Sequence, residues 1–508
     1  MKHILLFVFL WTTCIGQSQT KYYVDNIGGD DRNAGTHENL PFRSLEKINE
    51  QLFNPGDAIL FKRGGHWTGI CKPQGNGTVG NRILIGSYGE GDLPIIDAEG
   101  QKGEDDFLSA SLILFNQEYW EIRDIEVRNF EKGNPIKPTK KAGILVLAKD
   151  IGTLHDFKFE NLKISNVNGS LRTRINGGLF FNIIADSIPE KRIPTNFNGI
   201  YVNNCYFSDV DRGGFVNQSF WRTRDMDSKF GELCADGEIN NWYPSYNIVI
   251  ENSKFENVGG NGLVTRVAES PLVQYNLFVR CGSKTTGNAS YPYNCDNALW
   301  QFNEASYTVY NEGDIDASGF DSDYLCKNTI IQYNYSHHND WGGLLVCSWG
   351  KVKNAFNDGT IVRYNVFQDE KHHMIRFSGN ITNTEISNNL FVTDAEVDDV
   401  MMWYKHWGGI WPDKTVVKDN VFYNEGTTHF LKLGETNNNS FSGNLLYGSE
   451  FADFKKFKTH TDVHKKTEKG LKLKIEQVRK IGLRNDFSVS EAEKVISTIW
   501  PDYLITKN

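Results

Sequence analysis

The sequence predicts an all-β protein, a parallel β-helix solenoid with an N-terminal helical cap and a partly helical C-terminal tail. Three observations carry that prediction. The chain has 508 residues, too many for one compact core unless the architecture is elongated. Aromatic residues make up 13% of it and glycine is abundant at 47, against 5 Met and 13 Pro, which favours many short strands and tight turns. The third observation is an internal repeat. "PLVQYNLF", "TIIQYNYS", "TIVRYNVF", "TEISNNLF", "TVVKDNVF" and "NSFSGNLL" superpose without gaps and share Asn276, Asn334, Asn365, Asn389, Asn420 and Asn444. The last four steps are 31, 24, 31 and 24 residues, and the first, 58, leaves room for two rungs or one long insertion. A strand, a polar turn and another strand at this period describe one rung of a solenoid. An asparagine at a fixed turn position can bond its counterparts above and below, so these six are expected to form a structural ladder.

The elements follow in order. Residues 1–18 carry Lys2 and His3, an apolar run from Ile4 to Trp11, then small and polar residues, the pattern of an export signal. The run is too short to span a membrane and no later segment is long enough, so an exported periplasmic or extracellular monomer is expected, without a lipid anchor at Cys14. "SLEKINEQLF", Ser44 to Phe53, puts Leu45, Ile48 and Leu52 on one helical face and reads as the cap before the first clear strand, "GDAILFKRG". The solenoid is expected over 19–450 as the catalytic domain. From 451 to 508 the character changes to a basic, partly helical appendage: Lys455 to Arg484 holds 11 Lys or Arg and 3 acids, and "SVSEAEKVISTIW" opens with capping-box spacing, Ser488 to Glu491 or Ser490 to Glu493.

A formal charge of −9 argues against a general nucleic-acid role. Seven cysteines remain beyond the signal, irregularly spaced and without a CxxC pair. They form neither a disulfide framework nor a structural zinc site, with Cys281–Cys295 as the one local pairing to consider.

"YYVDNIGGDDRNAGTHENLPFRSLEKINEQLFNPGDAILFKRGG" resembles the opening of secreted right-handed parallel β-helix proteins of the pectate-lyase-like superfamily. "DASGFDSDYLCKNTIIQYNYSHHNDWGGLLVC" resembles a segment of bacterial β-helix carbohydrate-active proteins, glycoside hydrolases among them. The resemblance covers roughly Lys21 to Gly448. It implies the fold, and it implies a poly- or oligosaccharide as the partner.

Chemistry is expected on three long insertions, Asn217–Ser245, Cys281–Asp323 and Asp399–Asp413, since solenoids of this kind bind polymers on the outer face of a sheet. Asp321 and Asp323, two apart on an extended strand, project from one face and suit a two-carboxylate mechanism, one carboxyl raised in pKa to act as the acid. The alternative is a polar turn in which the aspartates cap backbone amides. Asp316 and Glu304 are further candidates for the second carboxylate. His337, matching the resembled segment, is a candidate substrate hydrogen-bonder or proton-transfer partner. Aromatic and cationic clusters predict sugar contacts: Trp403, Lys405, His406 and Trp407; Trp221 and Arg224; and Trp341 with Trp349; Arg376 is a further candidate for substrate binding. The favoured reading is a glycoside hydrolase that needs no metal or other cofactor. A polysaccharide lyase, with Lys371, Arg376 or Lys405 as base and calcium held by "GDIDASGFDSD", is the second. A non-catalytic glycan-binding solenoid is the third.

Overall fold

The computed structural model describes residues 19–102, 109–133, 139–224, 241–350, 355–394, 400–425, 429–436, 438–448 and 468–502. The export signal 1–18, Cys234, Asp399 and the 451–467 part of the basic tail lie outside these residues.

The strands stack as three parallel ladders that coil round one interior. Twenty-five strands form two of the ladders and 13 form the third. One coil runs through Ser318–Ser322 in the first ladder, Ile330–Gln332 in the second and Tyr335–His337 in the third. The next coil repeats this with Gly342–Ser348, Ile361–Arg363 and Val366–Gln368. Register is fixed by the period-2 pattern, because a slip of one residue would turn every apolar side chain outward. In the first ladder Phe320, Leu344, Ile375, Met402 and Leu431 stand in line and face the interior. In the third, Phe207, Phe255 and Phe278 stack ring on ring, with centroids 4.5 and 4.9 Å apart.

The asparagine ladder lies between the second and third strands of each coil. The backbone N–H and Nδ2 of Asn334 both donate to Oδ1 of Asn365, at 2.8 and 3.0 Å, and Asn365 does the same to Asn389. Asn303 fills the 58-residue gap, bonded by Asn276 and bonding Asn334. The preceding residue, Tyr275, Phe302, Tyr333 or Tyr364, has φ of 56°, which makes the corner sharp. Their rings stack along the outside, 5.0 to 5.3 Å apart.

Both ends differ in detail from the sequence expectation. The N-terminal helix is shorter, Leu45–Asn49. Leu45 and Ile48 plug the interior, but Leu52 belongs to a strand and is exposed. The side chain of Asn49 bonds Ile70 and Lys72 of the first coils, which ends the helix there. At the other end, helices Glu468–Gly482 and Ala492–Ile499 pack across the third ladder. Ile475, Val478, Ile481, Val495 and Ile496 cover its outward Tyr335, Val366, Leu390 and Tyr423. Glu491 is the N-cap without a side-chain bond, while the hydroxyl of Ser490 accepts the Ala492 N–H and donates to the Phe302 carbonyl. The six described cysteines are all free and buried, Cys281 and Cys295 included, so that pairing is absent.

Candidate active site

The outward positions of the first ladder build the site. Alternation that sends Phe320, Leu344, Ile375 and Met402 inward sends Asp321, Leu345, Arg376 and Trp403 outward, paired in that order on four successive coils. Cys347, Ser378 and Lys405 stand two residues further along on the same outer face. All of these except Trp403 floor a cavity of about 600 Å³. Its walls are Tyr291, Tyr293, Tyr324, Trp349 and Trp407, with Arg174, Asn288, Ile315, Asp316 and His406 completing the lining.

Three carboxylates converge there. Asp321 is 2% exposed and its Oδ2 accepts from Asn288 Nδ2 at 3.0 Å. Asp323 Oδ1 accepts the Tyr324 N–H at 2.7 Å and the Cys347 thiol at 3.3 Å. Oxygens of these two acids and the Cys347 sulfur all lie within 4.8 Å of one another. Asp316 Oδ2 accepts from Thr286 at 3.0 Å. Burial, then the charge of Asp323, pushes Asp321 well above the usual carboxylate range. Burial also lifts Asp323, to about 6, against the pull of its Tyr324 and Cys347 bonds. Asp316 is raised by burial and by Asp314, while Arg376 favours its ionised form. Like charges this close oppose one another's ionisation, an arrangement that suits one carboxyl to act as acid beside an ionised partner. With a thiol as its third member, the Asp321–Asp323–Cys347 set is not the all-oxygen cage that calcium takes.

The structure brings Asp316, Asp321, Asp323, Arg376, Lys405, His406 and Trp407 to this cavity. The other predicted residues lie elsewhere. Glu304 and His337 sit fully buried on the third ladder, 3.1 Å apart, where Arg484 of the C-terminal segment pairs with Glu304. They face the tail because they belong to the Glu304–Ser306 and Tyr335–His337 strands, not to the first ladder. Trp221 is 4% exposed inside the main core. Arg224 is bonded to Asn294 and Asp296 and lies 3.8 Å over the ring of Trp242. Trp341 is sandwiched between Tyr310 of the coil before and His372 of the coil after, at 4.8 and 4.0 Å, so neither face is open to a sugar. Trp403 is covered by Lys405, Lys432 and His372. Lys371 is exposed and pairs with Asp340.

Sequence reasoning missed Tyr291, Tyr293, Asn288, Arg174 and Cys347 as site residues. A signal existed for the tyrosines: "YPY" alternates in the coil before "DSD", with Ser290 aligned to Phe320, so its rings must share the aspartates' face.

No family model matches the chain. It is similar to the lacto-N-biosidase of Bifidobacterium longum subsp. longum, with 26% identity and 86% of this chain aligned, and it spans about 30% of that protein's length. The crystal structure of the GH136 lacto-N-biosidase from Eubacterium ramulus superposes with a TM-score of 0.65 at 25% identity, covering 80% of this chain and 68% of that one. A mannuronic acid specific family 6 polysaccharide lyase from human gut microbiota shares the fold, with a TM-score of 0.51 at 13% identity over 95% of this chain and 100% of that one. In sequence and in its parallel β-helix fold the chain is thus similar to the glycoside hydrolase family 136 lacto-N-biosidases.

Proposed function

We propose that this protein is an exported monomeric hydrolase that cleaves a glycosidic bond of an oligosaccharide, as the lacto-N-biosidases it resembles do. The observation that carries the reading is the convergence of Asp316, Asp321 and Asp323 in one aromatic-walled cavity of ligand size. Asp323 is the general acid. Its raised pKa keeps a proton available near pH 6, and it gives that proton to the departing glycosidic oxygen as the C–O bond breaks. Asp316, with Arg376 favouring its charge, is the ionised carboxylate that meets the developing positive charge on the anomeric carbon, as nucleophile or through a water. Asp321, the more deeply buried of the DSD pair, stays protonated. Asn288 holds it in place, and the charge of Asp323 adds to burial in keeping its proton on. Tyr291, Tyr293, Trp349 and Trp407 offer ring surface to the apolar faces of the sugar.

The test is a screen of purified protein on diverse glycans, read for reducing ends and for unsaturated-uronate absorbance together, with Asp323→Asn as the control. New reducing ends without that absorbance, lost in Asp323→Asn, are expected. Absorbance from an unsaturated uronate would overturn hydrolysis in favour of elimination.

A further inference from the structure

Arg376, Lys405 and Lys432, like Arg212 and Arg266 elsewhere on the solenoid, lack the ion pairs that many other cations of the chain make. Arg224, Lys284 and Arg479 each have a carboxylate within salt-bridge distance. Among the described residues, Arg376, Lys405 and Lys432 have none. Arg376 is 3% exposed, and its Nε and Nη1 are buried without a hydrogen-bond partner. Such groups cost folding free energy unless something outside the chain supplies acceptors.

Register gathers the three. Arg376, Trp403 and Lys432 are partners on consecutive coils, and Lys405 stands two residues from Trp403 on the same outer face. The ammonium groups of Lys405 and Lys432 lie 4.9 and 4.8 Å from the Trp403 ring centre, which fixes their direction. Arg376 and Lys405 line the cavity that holds the carboxylates. The cations repel one another: Lys405 is held below its ordinary value by burial, then by Arg376 and Lys432. This is a positive strip at the reacting centre, where Arg376 faces the charge of Asp316 through space and Lys405 and Lys432 have no ion-pair partner among the described residues.

We propose that Arg376, Lys405 and Lys432 form an anion subsite that selects glycans bearing a sulfate ester or a uronate carboxylate beside the bond that is cut. The inference rests on the glycan-cleaving reading above and narrows it. The guanidinium fork of Arg376 matches two oxygens of a carboxylate or sulfate, and the two lysines add point charges along the same line. A neutral sugar offers only hydroxyls there and leaves Lys405 and Lys432 without a counter-charge.

The experiment uses matched probes: sulfated oligosaccharides against their chemically desulfated forms, and uronate oligosaccharides against their carboxyl-reduced forms. One anionic form is expected to show kcat/KM about tenfold or more above its neutral partner, and the pair that responds identifies the anion. The Arg376→Met/Lys405→Met double variant is expected to lose that preference. Lys432→Met, at an exposed position where folding is undisturbed, is expected to reduce it. Equal rates on both members of every pair, with cleavage intact, would overturn the subsite and leave the hydrolase standing. If nothing is cleaved, calorimetric binding of the same probes decides. Tighter binding of an anionic form, weakened by salt, supports the subsite while the hydrolase reading fails. Equal or absent binding overturns the subsite.

Discussion

Cys347 donates its S–H to Oδ1 of Asp323 across 3.3 Å, from one coil of the solenoid to the one before it. The bond favours the carboxylate and holds the Asp323 pKa down against burial. A general acid works in its protonated form, so kcat/KM should fall as pH rises through about 6. It should also fall at low pH, where Asp316 takes up a proton. In Cys347→Ala the stabilising donor is gone, the Asp323 pKa rises and the basic limb moves to higher pH. Cys347→Ser keeps a donor and should leave that limb near its wild-type position. A pH profile of kcat/KM for the three proteins checks this, and identical basic limbs in all three would remove the thiol from the mechanism.

Single replacements should rank the carboxylates. Asp323→Asn and Asp316→Asn are each expected to lower kcat by about 10²- to 10⁴-fold, the usual worth of a positioned acid or base. Asp321→Asn keeps a neutral side chain of the same shape. It is expected to lose much less and to leave the basic limb near its wild-type position, because the Asp321 carboxyl is already uncharged and Asp316, the acid that raises Asp323, is kept. Steady-state kinetics on the substrate found in the screen decides. Equal losses at Asp321 and Asp316 would mean that the DSD pair itself holds both roles.

The solenoid and the DSD pair were legible because both are short-range patterns. Alternation places Asp321 outward as soon as Phe320 is known to be inward, and the asparagines recur with their flanking sequence. Asn303 escaped because "WQFNEAS" departs from the QYN flank although the turn is the same. Longer-range features were hidden. Arg174 reaches the cavity from a loop whose place depends on every insertion between it and Asp321. His337 looks like a surface residue in "YNYSHHND". Its burial comes from the C-terminal segment, where Phe487 lies over the ring and Arg484 occupies its Glu304 partner. Trp341 and Trp403 looked like open sugar platforms, since nothing in their own sequence shows that stacked neighbours occupy the ring faces.

The asparagine ladder should be worth far more than six polar turns. Asn365 Nδ2 donates to Asn389 Oδ1, the Ile331 carbonyl and the Arg363 carbonyl, at 2.9 to 3.0 Å, and its Oδ1 accepts both donors of Asn334. Asn365→Ala strands those two Asn334 donors in a fully buried corner, at about 1–3 kcal/mol each. The expected loss is about 2–6 kcal/mol in denaturant unfolding. Asn444→Ala should lose less, because Asn444 is the last rung described and Asn420 alone donates to it. Equal losses at the two positions would show that the ladder does not act through its neighbours.

Glu304 and Arg484 test whether the C-terminal segment is part of the folded unit. Glu304 is fully buried. It accepts from Arg484 at 2.8 Å and from the Glu491 N–H at 2.7 Å, with His337 on its other side. Burial works against its charge, yet His337 and Arg484 together hold its pKa below the ordinary value. A lowered carboxylate stabilises the fold above its unfolded pKa, near 4.3, and that contribution is lost as pH falls through the lower folded value. Arg484→Ala removes one partner and leaves the carboxylate buried, an expected loss of about 3–5 kcal/mol at neutral pH that shrinks on acidification. Glu304→Gln with Arg484→Met replaces the pair by neutral groups and should recover part of the loss. Thermal unfolding of wild type and both variants at pH 7 and pH 4 is the check. A gap between wild type and Arg484→Ala that does not narrow at pH 4 would mean that the arginine stabilises through its backbone bonds and packing, not through Glu304.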